Sequence, residues 1–227
     1  MTVQELEREL TVHIIIKLEA TLQTKKRVCV FCSSCNYLDK SYYDAAEEFG
    51  RLIARNGFDM VYGGSSLGMM WACAKEVKVN GGQITGVMPK KLHDMGVYTD
   101  ECVELTVTPC MRTRKAKMDE LSDCVVALAG GFGTLEEISE MIVQKQLGYN
   151  NKPVVFLNTN GFYDKLIEFF DNMISENFAN ECASKLYYIA QTPEEAVDYL
   201  LKYDYSAPCV TKEEIYARKH PKPKASI

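Results

Sequence analysis

Histidine, tryptophan and long apolar runs are scarce in this chain, and each shortage closes a class of function. The three histidines, His13, His93 and His220, lie far apart among 227 residues, too few and too scattered for a zinc centre or the usual imidazole-based triad. Near the start the longest aliphatic run is Ile14-Ile15-Ile16, far short of the roughly 20 residues of a membrane span, and no secretory-leader pattern precedes it. Positive charge is not in excess either. The formal net charge is −5, so no basic field draws in nucleic acid, and the clusters Lys25-Lys26-Arg27 and Arg218 to Lys224 read as solvated ends. A cytoplasmic protein with no membrane or nucleic-acid partner is the expectation.

Cysteine, by contrast, is plentiful. Nine residues, an odd count without secretory context, point to reduced thiols. Cys29, Cys32 and Cys35 repeat the C-x-x-C interval, but an iron–sulfur motif wants a further cysteine about four residues on, where Asp39 stands. Buried strand thiols are the favoured reading, and no metal or organic cofactor is expected.

With 47% hydrophobic and 25% charged residues, the chain has the composition of one well-cored domain. Leu6, Leu10, Ile14, Leu18 and Leu22 recur four apart, the stripe of an amphipathic helix that docks on its own domain or on a second subunit. From Arg27 onward, apolar strand-like runs (28–31, 58–62, 84–87, 103–107, 124–128, 154–157 and 186–189) alternate with helical patterns (42–55, 67–79, 112–121, 135–147, 162–175 and 193–200). Such alternation predicts a single-domain, Rossmann-like α/β fold, a doubly wound parallel sheet with helices on both faces. The division expected is a helical extension over 1–26, a nucleotide-binding catalytic domain over 27–203 and a loose tail over 204–227.

Two glycine-rich turns follow strands, where ligands of open α/β sheets bind. The first, Tyr62-Gly63-Gly64-Ser65-Ser66-Leu67-Gly68, fails as a P-loop because Met69-Met70 replace the Lys and hydroxyl residue. It fits a G-x-S-x-G nucleophile elbow with Ser66 as nucleophile, although an acid and a histidine in the right order are missing. A third reading is close backbone approach to a ligand. The second turn runs from Ala129 to Glu137. Gly130, Gly131 and Gly133 free its backbone, and the amides opening the next helix form an anion site to which Thr134 adds a hydroxyl. Thr134-Leu135-Glu136-Glu137 is equally a T-x-x-E capping box, in which Glu137 serves only the helix start. Upstream, Met111-Arg112-Thr113-Arg114-Lys115 puts three cations where a helix start prefers acids, which suggests an anionic ligand or partner beside the solvated-surface alternative.

Together these stretches resemble the LOG family of cytokinin riboside 5′-monophosphate phosphoribohydrolases, long mislabelled as lysine decarboxylases. The family's P-G-G-x-G-T-x-x-E turn resembles Ala129 to Glu137, its M-x-x-R-K resembles Met111 to Lys115, and the similarity runs from about Arg27 to Leu200. The resemblance implies cleavage of the N-glycosidic bond of an AMP-like nucleoside 5′-monophosphate, N6-modified adenine included, by a homodimer without cofactor. It implies Arg114 and Glu137 as the catalytic pair; Gly130, Gly131, Gly133 and Thr134 as the phosphate cradle; Glu136 and Lys115 as sugar or phosphate contacts; and Ser34, Gly63 and Gly64 as further substrate-binding positions. Three departures stand out. Ala129 replaces the family proline, Ser33 and Ser65 replace glycines, and Gln144 replaces a tryptophan. A nucleotide or cofactor carrier on the same fold is the alternative, and a serine hydrolase using Ser66 the third reading.

Overall fold

The computed structural model describes residues 25–206, 210, 211 and 214, so the helix expected before Lys25 lies outside the described residues. Seven strands form one parallel sheet: β1 (Arg27–Phe31), β2 (Asp59–Tyr62), β3 (Ile84–Pro89), β4 (Glu104–Thr108), β5 (Cys124–Ala127), β6 (Val154–Leu157) and β7 (Tyr188–Ala190). The helices between them are α1 (Lys40–Arg55), α2 (Gly68–Val79), α3 (Lys90–His93), α4 (Met111–Glu120), α5 (Phe132–Gln146), α6 (Asp164–Ser175) and α7 (Pro193–Lys202). This is the expected doubly wound α/β fold.

The two-residue period of the strands divides the core. Val28, Val30 and Cys32 join residues of α1, α2 and α7 on one side, while Cys29 and Phe31 join residues of α4 and α5 on the other. Cys29 and Cys32 therefore point into opposite layers and cannot share a metal ion. Among the described residues no group of three His, Cys, Asp or Glu side chains is placed to hold one.

Strand order is β4-β3-β2-β1-β5-β6-β7. The chain winds outward in one direction from β1 and in the other from β5, so the crevice at the carboxyl ends of these two strands is the topological switch point. There the Ser33 N–H donates to the Ala129 carbonyl at 3.1 Å, joining the two strand-end loops. The polar edge strand β4 exposes Glu104, which blunts edge pairing.

Local differences from the sequence pattern have physical causes. The helix expected from Phe162 begins at Asp164, because Thr159–Gly161 form a 3-10 turn with Asn160 at φ 56°. Leu186, expected in the last strand, instead closes the 3-10 helix Glu181–Lys185 and is buried in a small separate cluster with Cys182 and Val210. The expected loose tail thus begins against the domain. No helix among the described residues is long and apolar enough to cross a membrane.

Candidate active site

Helices α4 and α5 both rise from strand ends and lay their inner faces on the sheet. On α4 the inward residues are Arg114 and, one turn on, Met118; on α5 they are Glu137, Ile138 and Met141. This spacing aims Arg114 and Glu137 at each other from the helix ends nearest the switch point. Arg114 Nη1 donates to Glu137 Oε1 in a pair of which each residue is only 5% exposed. The guanidinium is itself anchored, its Nε donating to the Val87 carbonyl at 3.0 Å. Gly63 leaves room for it, since a Cβ there would come within 2.9 Å of Arg114 Nη2.

Electrostatics at Glu137 are a contest. Burial pushes its carboxyl above the ordinary glutamate range, the Arg114 guanidinium draws it back down, and neighbouring Glu136 pushes it up again. Arg114 therefore keeps a carboxylate chargeable where solvent cannot.

The capping-box reading of Thr134 to Glu137 is corrected here. The N-cap of α5 is Gly131, with no side-chain cap, so Thr134 lies in the first turn and Glu137 is one turn deeper, committed to Arg114. The cations of α4 are likewise answered from within the chain. Lys115 pairs with both Glu136 and Glu140, while Arg112 is exposed.

Each glycine of the turn has its own reason. A Cβ on Gly130 would collide with the Thr134 hydroxyl, whereas Gly131 and Gly133 face open space. Nothing inside the chain requires a bare backbone at those two positions, which is what a ligand resting on the α5 amides would require. Although the family proline is absent, bonds on either side of Ala129 fix the turn. The Tyr163 hydroxyl donates to the Leu128 carbonyl at 2.7 Å, and the Ser33 N–H holds the Ala129 carbonyl. Beside the turn is a cavity of about 290 Å³ lined by Ser33, Leu38, Tyr42, Ala129, Gly130, Gly131 and Phe162.

Of the remaining positions, Ser34 is exposed on the loop after β1, whose backbone packs against Gly68. Gly64, at φ 71°, lies back to back with Gly86, so its missing side chain serves packing. The elbow reading of Ser66 fails. Its hydroxyl donates to the Val97 carbonyl at 3.3 Å, and the His93 ring is stacked on Tyr98.

A family model described as "Possible lysine decarboxylase" matches residues 70–200. The chain is 40% identical over 191 residues to the probable cytokinin riboside 5′-monophosphate phosphoribohydrolase LOGL6 of Oryza sativa subsp. japonica, covering 83% of this chain and 76% of that one. The chain belongs to the LOG family. A second LOG relative, the cytokinin riboside 5′-monophosphate phosphoribohydrolase LOG3 of Arabidopsis thaliana, is 38% identical over 195 residues, 86% of this chain and 89% of its own. Among solved structures, the molybdenum cofactor binding protein of Rippkaea orientalis has a TM-score of 0.63 at 23% identity, covering 79% of this chain and 97% of that one. The molybdenum cofactor carrier protein MCP of Chlamydomonas reinhardtii has a TM-score of 0.61 at 26% identity, covering 79% and 100%.

Sequence reasoning missed Tyr163, Tyr42 and Phe162 as parts of this LOG site. Tyr42 lies in the quoted YYDAAE stretch, yet nothing in an aromatic's local sequence tells a cavity wall from a core residue.

The pair also makes a stability prediction. Glu137→Leu alone should cost about 3–5 kcal/mol, because a buried guanidinium loses its partner, whereas Arg114→Met with Glu137→Leu should cost much less than the two singles summed. Urea melts of the four proteins check this; additive losses would mean that the pair is not coupled.

Proposed function

We propose that this chain hydrolyses the N-glycosidic bond of AMP-like nucleoside 5′-monophosphates, N6-modified adenine included, giving free base and ribose 5-phosphate. The observation that carries the reading is the buried Arg114–Glu137 pair beside the uncapped start of α5. The 5′-phosphate rests on the amides opening α5 and on the Thr134 hydroxyl, with Gly131 and Gly133 keeping the approach clear. Ser34, Gly63 and Gly64 border the crevice, and Lys115 with Glu136 forms its charged rim, close to the sugar.

As the bond between C1′ and the base nitrogen breaks, its electron pair leaves with the base and positive charge builds on the sugar ring. The Glu137 carboxylate stabilises that cation and takes a proton from the water that attacks C1′. Arg114 fixes the orientation of the carboxylate and holds it ionised for this role.

A carrier that binds without cleaving is the second reading, favoured by the likeness to the Chlamydomonas reinhardtii carrier. Binding a phosphate asks only for the glycine turn and the helix start. A buried ion pair at the same crevice is costly to keep, and the hydrolase gives it a use.

The free thiols of the eight described cysteines fit the cytoplasm. Apolar side chains exposed at both ends of α5, Phe132 (90% exposed), Leu147 and Tyr149, fit a homodimer contact.

Two outcomes are expected. Incubation with AMP and with N6-isopentenyladenosine monophosphate should release free base, whereas the unphosphorylated ribosides should not react; Glu137→Gln should lower kcat by at least about 100-fold. AMP binding with no base release would establish the carrier. In solution, light scattering should return twice the chain mass of 25.7 kDa, and a single-chain mass would remove the dimer.

A further inference from the structure

At the foot of α5, away from the glycine turn, an apolar groove of about 270 Å³ runs between α5, α6 and the 3-10 helix before β7. Its walls include Ile142, Phe170, Ile174, Leu186 and Phe178, the last 87% exposed. At one side of the groove lies the chain's own C-terminal segment. Val210 is buried against Leu186, with Ile142, Ala183 and Tyr187 packed around it. Beyond it, Thr211 and Glu214 exchange bonds: the Glu214 N–H donates to Thr211 Oγ1 at 3.2 Å, and the Thr211 N–H donates to Glu214 Oε2 at 2.8 Å.

That reciprocal pair is a capping box, the signature of a helix that starts at the next residue. The local sequence agrees at every position. Glu213 and Glu214 occupy the first turn, where acids suit the helix dipole; Arg218, Lys219 and His220 fall in the last; Pro221 ends the pattern. Val210 and Ile215 stand at the positions of a hydrophobic staple. The start is moored beside the groove wall, since Asn180 Nδ2 donates to the Glu214 carbonyl at 2.9 Å and Lys185 pairs with its carboxylate. Asn180 follows directly on Phe178 and Ala179, both of which line the groove.

We propose that residues 212–220 form a short helix that lies in this groove and covers Phe178 with the side chains of Ile215 and Tyr216. The occupant is the chain's own tail because the groove is within reach of a moored, capped helix start, and nine residues remain before Pro221. The tail thereby closes the outer face of the helix that carries Glu137. This inference stands apart from the catalytic reading, since it uses no residue of the active site.

Hydrogen exchange of the full chain tests it, with Phe178→Asp as the variant, chosen because an exposed side chain can change without disturbing the core. Amides 215–220 should exchange slowly in the parent protein and at least about tenfold faster in Phe178→Asp, with the sheet unchanged in both. Fast exchange of these amides in the parent, or protection that ignores Phe178→Asp, would overturn the proposal. A photo-crosslinker at position 216, in an equal mixture of light and isotope-labelled chains, should capture groove peptides of its own chain. Hybrid light–heavy products would give the groove to a second copy instead, and capture outside the groove would leave the tail no seat there.

Discussion

The structure turns on one constraint: a carboxylate taken out of water must be given a cation. Glu137 is buried on the inner face of α5, and the guanidinium that answers it comes from α4, across the sheet end. Much else follows from that need. Gly63 stays bare to admit the guanidinium, the Val87 carbonyl fixes its other edge, and α4 carries its cations where a helix start would ordinarily prefer acids. Burial raises the proton affinity of the carboxyl while Arg114 lowers it, so the pair sets whether Glu137 is charged at neutral pH.

The second element is the rigid turn at the switch point. β1 and β5 end side by side, and the loops leaving them are tied by the Ser33 to Ala129 bond. Tyr163 holds the turn from the β6 side, and burial pushes its phenol well above the usual range, so the group remains a donor. A turn fixed in this way presents amides in place before a ligand arrives, which spares the cost of ordering them on binding. The rigidity that LOG relatives draw from a proline is here supplied by hydrogen bonds from two other segments.

Fold and site differed in how far they could be read from residues alone. Strands such as Val28 to Phe31 announced themselves, because a sheet covered on both faces needs apolar residues at every position and helices between strands. Arg114 and Glu137 were legible only through paired motifs; by local rules Glu137 was a helix cap, and 23 residues separate it from its true partner. The cations of α4 were read outward, toward a ligand, whereas Lys115 turns to Glu136 and Glu140 within the chain. Tyr163 gave no signal at all. An aromatic residue at a helix start is ordinary, and what matters is the carbonyl its hydroxyl finds across the fold. The tail from 204 looked loose because prolines and lysines dominate its end, yet Thr211 and Glu214 carried a capping signature that composition hides.

The most direct test of the central claim is a titration of the Glu137 side-chain carboxyl by carbon-13 NMR, assigned with Glu137→Gln and repeated in Arg114→Gln. The account predicts a midpoint above the ordinary glutamate range in the parent protein and a further rise once the guanidinium is gone, because burial then acts unopposed. A midpoint at or below the ordinary range that does not respond to Arg114→Gln would contradict it, and would leave the carboxylate solvated rather than held.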